Sequence, residues 1–274
     1  MNRHALLVQA HRDIGYFIAL AKRRPNLNIY VHIDAKSSYS PRAEIADLAN
    51  VFLLDNRVSV RWGGFSQVAA TLALFEAAFA NPDNQFFHLV SGEDVVLQDF
   101  VVIEKAWEQQ NFAMMMTCDI APQYAYRFVM DSPHADQDWQ RKLSGKVMTK
   151  LQQGLAKVVP YNKPIYFGSQ WFSVTRDDWA KILPYVDDYR EFFQHKLVPD
   201  EHFFQTLIQE KLAQQIRVSD NNQRRIIFDK NVNNGNSPIY LSLLQLERAT
   251  FDGFWFARKV TDEVAMNWLM GEKQ

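Results

Sequence analysis

The 274-residue sequence predicts an α/β fold with a Rossmann-like, mostly parallel central sheet flanked by helices. Three observations predict it. Short apolar runs alternate with helical patterns through the first half. The chain is 47% hydrophobic, enough for a sizeable core. Polar and acidic residues cluster just past the predicted strand ends, where parallel sheets bind ligands.

Ala5 to Ala10 is a short apolar run, followed by polar HRD and the helical pattern Tyr16, Phe17, Leu20, which Pro25 ends. Ile29, Val31 and Ile33 alternate with Tyr30, His32 and Asp34, a strand that delivers a carboxylate at its C-terminal end. VFLLD (51–55) is a third strand, SVRWGGFS a glycine-marked turn, and 66–80 a strongly periodic helix with Ser66 as its N-cap. FFHLV (86–90) is a fourth strand running into the turn SGED. This order places Asp34, Lys36, Ser91, Glu93 and Asp94 to meet a ligand. The second half is less regular. Residues 139–176 contain no acid but seven bases, with Leu143, Val147, Leu151 and Leu155 spaced by four. That pattern fits a lysine face over a core stripe, or a surface for an anionic acceptor or membrane. PIYFGSQWFSVTRDDW predicts two short strands around a Gly168 turn and a helix from about Asp177. DNNQRRIIF holds a strand, NVNNGNSP a loop, and WFARKV a last strand before a C-terminal helix. With no repeat and no low-complexity linker, a single domain over 1–274 is expected. Its donor half would be about 1–110 and its acceptor and catalytic half about 111–274.

A net charge of −1 argues against a nucleic-acid partner held by bulk charge, and 14% aromatics suit surfaces that stack on rings. The lone Cys118 forbids an internal disulfide; its default is a buried thiol in a reducing compartment. No window approaches the ~18 apolar residues of a spanning helix. A cytoplasmic protein is expected, with peripheral contact at the inner face of a membrane as an option.

KLVPDEHFFQTLI (196–208) puts two carboxylates ahead of a helical face made by Phe203, Phe204, Leu207 and Ile208. Asp200 suits an N-cap, and Glu201 then falls in the first turn, where the helix dipole favours an acid by about 0.3–1 kcal/mol. The same dipole would also hold Glu201 ionised as a general base. Physics alone leaves both readings open.

The strings YVHIDAKSS, RWGGFSQV, HLVSGEDVVLQ, FGSQWFSVTRD, PDEHFFQTLI, DNNQRRI and FARKV lie between Tyr30 and Val260, and the likeness they carry runs from about Leu6 to Val260. Together they resemble the core-2/I-branching β-1,6-N-acetylglucosaminyltransferase and peptide O-xylosyltransferase family, glycosyltransferase family 14. The resemblance implies a GT-A type fold, a UDP-sugar co-substrate, inversion at the anomeric carbon and catalysis without a metal or other cofactor. It gives Glu201 the role of general base and Lys259, with Arg258 beside it, the leaving diphosphate. His32, Asp34 and Lys36 match the uridine-binding strand end. Trp62, Gly63, Gly64 and Ser66 match the WGG-S turn, and Gly168, Ser169, Gln170 and Trp171 match the GS-W motif. These two motifs, with Ser91, Glu93 and Asp94, would form the sugar and acceptor site. UDP-GlcNAc is the first choice of donor and UDP-xylose the second; the acceptor would be a glycan, free or lipid-linked.

Departures from the family matter. The disulfides and N-terminal anchor of the animal relatives are not seen in this sequence, from which a cytoplasmic bacterial enzyme is expected; the basic segment 141–163 would suit a lipid-linked or anionic glycan acceptor in surface polysaccharide synthesis. A second diphosphate-binding arginine would fall near Ile239 and Tyr240, where no base stands, leaving Arg258 or Arg224 to compensate. Two carboxylate pairs are candidate metal ligands. Glu93 and Asp94 are adjacent and so point apart, and Asp136 and Asp138 lie in a polar stretch. Two other function classes stay in view: a glycoside hydrolase using Glu93 with Glu201, and a non-catalytic nucleotide- or glycan-binding module.

Overall fold

The computed structural model describes residues 3–232 and 237–271; part of the predicted NVNNGNSP loop, 233–236, lies outside them. The first half runs β1 (His4–Ala10), α1 (Gly15–Arg23), β2 (Asn28–Ile33), β3 (Val51–Leu53), α2 (Phe65–Phe79), β4 (Phe86–Ser91), β5 (Asp94–Val96) and α3 (Phe100–Gln109). The second runs β6 (Asp119–Ile120), a 3-10 turn at Pro122–Arg127, α4 (Leu143–Leu155), β7 (Tyr166–Phe167), β8 (Ser173–Thr175), α5 (Arg176–Ile182) and α6 (Val186–Phe193). A 3-10 turn at Pro199–Glu201, α7 (Phe203–Leu207), β9 (Arg224–Ile226), α8 (Leu243–Phe251), β10 (Phe256–Arg258) and α9 (Asp262–Gly271) complete it.

The main sheet has the order β3-β2-β1-β4-β8, parallel throughout except for β8, which pairs antiparallel with β4. A mixed α/β fold with a mostly parallel central sheet is therefore what the sequence folds into. Every residue of β2 and β4 is buried, because helices cover both faces. One apolar cluster joins β1 and β2 to α1, α3, α8 and α9; the other packs α2, α5, α6 and α7 against the opposite face. Strand order reverses at β1, which has β2 on one side and β4 on the other, and a crevice forms beyond the ends of β1 and β4 at such a point. Smaller sheets, β5-β10-β9 and β6-β7, are built beside it. Among the described residues no helix is long and apolar enough to cross a membrane.

Several local expectations are corrected. The N-cap of α2 is Gly64, and Ser66 lies inside the helix. Asp200 caps nothing: α7 starts at Phe203 after His202, so Glu201 belongs to the preceding 3-10 turn. β7 and β8 do not pair with each other across Gly168; β7 pairs with β6 and β8 joins the main sheet. The leucine stripe of α4 faces solvent, not a core.

A row of polar side chains, buried except for the half-buried Glu104 at its start, crosses the sheet. Glu104 Oε2 lies 3.4 Å from His4 Nε2, His4 Nδ1 lies 3.0 Å from His88 Nε2, and His88 Nδ1 lies 2.8 Å from Ser173 Oγ. Ser173 Oγ also accepts from Arg224 Nη2 at 3.0 Å.

Candidate active site

The end of β1 sets the floor of the crevice. Gln9 pairs in register with Ser91 of β4, and Gly92 N donates to Gln9 O at 2.8 Å. A Cβ on Gly92 would come 3.1 Å from the Ala10 Cβ, so the turn after β4 hugs β1. That turn aims two adjacent carboxylates apart, as expected from alternation along an extended chain. Glu93, buried, meets Arg12 Nη2 at 2.6 Å, Lys259 Nζ at 3.0 Å and the Tyr240 hydroxyl at 3.1 Å. Asp94 stands opposite Arg258 in the β5–β10 ladder, with Arg258 Nε 3.5 Å from its Oδ1, and accepts from Ser91 N at 3.0 Å. Burial raises the Asp94 pKa against the pull of Arg258. Three cations thus surround two carboxylates at the head of the crevice.

Arg224 cannot be the missing diphosphate arginine. It is buried and donates to the carbonyls of Leu89, Phe172 and Asn222, with burial lowering its pKa to about 9. Tyr240 occupies the expected place, under Lys259 at 4.9 Å from its ring centroid. Arg12, directly after β1, was not singled out in the sequence, although the polar HRD following a strand was the available signal.

The GSQW segment ties the site together. Gly168 N donates to Glu201 O at 2.9 Å, and a Cβ on Gly168 would fall 1.8 Å from Thr117 O, so only glycine fits. Ser169 O accepts from Gln205 Nε2 at 3.1 Å. Gln170 bonds Gln9 at 2.8 Å and Gln67 at 3.2 Å. The Trp171 ring, half-buried, carries the Arg258 guanidinium 4.5 Å from its centroid. One four-residue segment therefore contacts Glu201 at one end and Arg258 at the other.

Glu201 keeps a third of its side chain exposed (33%) and accepts from Arg127 Nη1 at 2.9 Å. Arg127, buried, also lies 2.8 Å from His202 Nε2 and 4.1 Å over the Tyr124 ring. Sequence reasoning missed Arg127, which is 74 residues away along the chain. Asp200 points inward: its Oδ1 has no hydrogen-bond partner, and burial, helped by the Glu201 charge, raises its pKa to about 7.

The WGG turn is braced from afar. Gly63 has a φ of +73°, its N–H bonds Gln67 Oε1 and its carbonyl accepts from Val198 N at 2.8 Å, next to the Pro199–Glu201 turn. The Asp136 carboxylate accepts from Ser66 N at 3.2 Å and from Ser66 Oγ, satisfying the start of α2. Asp138 pairs with Arg61 at 2.9 Å. The spaced Asp pair is thus engaged in holding this turn. Trp62 stays exposed, with Arg141 5.3 Å over its ring.

At the end of β2, His32 Nε2 accepts from Val58 N at 2.8 Å, and burial lowers its pKa. Asp34 accepts from the backbone N–H of Lys36 at 2.9 Å and of Val60 at 3.3 Å, and Lys36 Nζ lies 3.5 Å from it. These three build a corner on segment 58–60; the structure places them beside β1 but gives no contact to the Glu201 cluster. Cys118, half-buried, has its thiol pKa pushed up to about 11 by burial, which disfavours a thiolate nucleophile.

The family model described as Core-2/I-Branching enzyme matches residues 18–239. Xylosyltransferase 2 of Pan troglodytes and of Homo sapiens are each 24% identical over 86% of this chain and 29% of their own length. The human N-acetyllactosaminide beta-1,6-N-acetylglucosaminyl-transferase is 26% identical over 74% of this chain and 52% of its own. This chain therefore spans about half, or less, of the curated relatives it matches. Among solved structures, a 4-diphosphocytidyl-2C-methyl-D-erythritol synthase from Anaerococcus prevotii aligns with 12% identity and a TM-score of 0.38, over 79% of this chain and 85% of that one. That score is too low to bear on the assignment. With 222 of 274 positions covered by the family model (18 to 239 inclusive), the chain belongs to the Core-2/I-Branching enzyme family.

Proposed function

We propose that the chain is an inverting, metal-independent glycosyltransferase that moves a sugar from UDP to a glycan hydroxyl. GlcNAc is the first choice of sugar and xylose the second. In this reading the acceptor O–H donates to the Glu201 carboxylate and its oxygen attacks C1 of an α-linked donor from the face opposite UDP. The C1–O bond to UDP breaks, Glu201 keeps the proton, and the product is a β-glycoside. Lys259 and Arg258, with Arg12 added by the structure, meet the charge that develops on the departing diphosphate without reorganising. Synthesis of a bacterial surface polysaccharide, on a lipid-linked acceptor at a membrane face, is the setting that fits this chemistry.

The observation that carries the proposal is the GSQW segment, whose backbone holds the Glu201 turn and whose tryptophan ring holds Arg258. A base and a cation fixed on one short segment suit a reaction that takes a proton at one point and receives an anion at another. The test is paired. Glu201→Gln is expected to keep UDP affinity while turnover with a UDP-sugar falls by roughly 10²–10⁴. Lys259→Ala is expected to weaken UDP binding, measured by calorimetry in EDTA. A fully active Glu201→Gln enzyme removes the base assignment, and transfer that returns only with Mn²⁺ removes the metal-free one.

A further inference from the structure

Helix α4 packs inside out. Its buried side is polar: Gln152 Nε2 donates to Ser132 Oγ at 2.7 Å, and Thr149 Oγ1 lies 3.0 Å from His134 Nε2. Gly145 brings this side against the backbone, since a Cβ there would fall 2.0 Å from Gln140 O. The apolar side faces water: Leu143, Val147 and Leu151 are 78%, 49% and 63% exposed, and Val158 beyond the helix is 77% exposed. Spaced by four, the first three form one strip along the helix. Lys142, Lys146 and Lys150, also spaced by four and exposed, form a second strip beside it. Residues 139–176 hold no carboxylate, and the acid that acts on Lys142, Asp138, is already paired with Arg61.

A contiguous apolar strip left in water marks a contact surface. A groove of about 600 Å³ adjoins it between α4 and the Pro122–Arg127 turn, lined in part by Tyr126, Lys150 and Lys157. Arg127 Nε donates to the Tyr126 hydroxyl at 3.3 Å, and the same guanidinium pairs with Glu201. Two contacts thus link the groove to the candidate base.

We propose that this face of α4 seats on an anionic phospholipid surface. The leucine strip enters the boundary between headgroups and acyl chains, and the lysine strip and groove hold the phosphates. Charge selects this occupant over a second copy of the chain, because a contact between copies would juxtapose two basic segments without an acid in either. The inference deepens the glycosyltransfer reading, since it would bring a lipid-linked acceptor towards Glu201, but it is tested separately.

The full chain is sedimented with phosphatidylglycerol vesicles and with phosphatidylcholine vesicles at about 50 mM salt, then at about 0.5 M. Binding to the anionic vesicles alone, lost at high salt, is expected. The double variants Leu143→Ser/Leu151→Ser and Lys146→Glu/Lys150→Glu should each weaken it by about tenfold or more, from lost insertion and lost attraction respectively. Because all four side chains are exposed, circular dichroism should be unchanged. Absence of anionic-vesicle binding, or unchanged binding by both variants, overturns the proposal. So does sedimentation velocity showing that the leucine variant converts a dimer to a monomer, which assigns the strip to a second copy. UDP affinity of the leucine variant should equal that of the parent; a parent that fails to bind UDP sinks the glycosyltransfer reading while the vesicle result stands.

Discussion

Asp200 and Glu201 are neighbours with opposite fates, one buried and one reaching solvent. The sequence shows both acids but not which one the turn directs inward, because a 3-10 turn has no periodicity long enough to read. Asp200, with its pKa raised to about 7 by burial, is favoured in its neutral form. The unfolded chain releases that proton near the ordinary carboxylate value, so this contribution to stability is full below about pH 4 and is lost as pH rises to about 7. Asp200→Asn, neutral at every pH, should therefore gain on the parent by on the order of 1–3 kcal/mol at pH 8 and little at pH 4. Thermal unfolding at the two pH values checks this. Arg127 is a different case: its removal strips a partner from Glu201 and a cation from the Tyr124 face. Arg127→Leu should cost about 1–3 kcal/mol, below the ~3–5 kcal/mol of a fully buried pair because Glu201 can rehydrate. Chemical denaturation measures it, and an unchanged midpoint would show the pair to be idle.

At the scale of elements, β1, β3 and β4 were legible because ALLVQA, VFLLD and FFHLV are short apolar runs, and β2 was legible from alternation although both its faces are buried. What escaped was pairing. β5 is three residues long and exists because β10, far along the chain, completes its ladder. α3 and α8 went unread among neighbouring apolar residues, and the partners of β7 and β8 are set by tertiary packing, not by the glycine between them. That glycine matters for another reason. Gly168→Ala would drive a methyl group into the Thr117 carbonyl, so the GSQW segment must move as a unit. Activity and melting temperature should fall together, by several kcal/mol in stability, whereas Gly154→Ala, with nothing within 4 Å of its would-be Cβ, should leave both intact. α4 was legible as amphipathic, but the hydrophobic pattern does not say which face the neighbours cover.

Across the whole molecule, the structure gathers Glu93, Asp94, Trp171, Arg258 and Lys259, which come from three separate motifs of the sequence, into one cluster. Arg12 and Arg127 needed the fold, since each meets its carboxylate from a distant part of the chain. Burial also sets the acid limit. His4 and His202 have pKa values lowered to about 3, and His88 is lowered as well, all chiefly by burial. As pH falls, the unfolded chain takes up these protons first. Their share of stability is full above about pH 6.5 and is lost towards the folded values, on the order of 1 kcal/mol per histidine per pH unit. A melting temperature flat from pH 8 to 5 in the Asp200→Asn background would contradict this.

The row from Glu104 to Arg224 carries one more consequence. A guanidinium only donates, and a carboxylate only accepts, so the two ends impose a single polarity on everything between them. Ser173 must pass its hydroxyl hydrogen to His88 Nδ1, and each imidazole must carry its proton on Nε2. Nitrogen-15 spectra of the intact protein should show that one tautomer at both rings, making the middle of the sheet a molecular diode for hydrogen bonds.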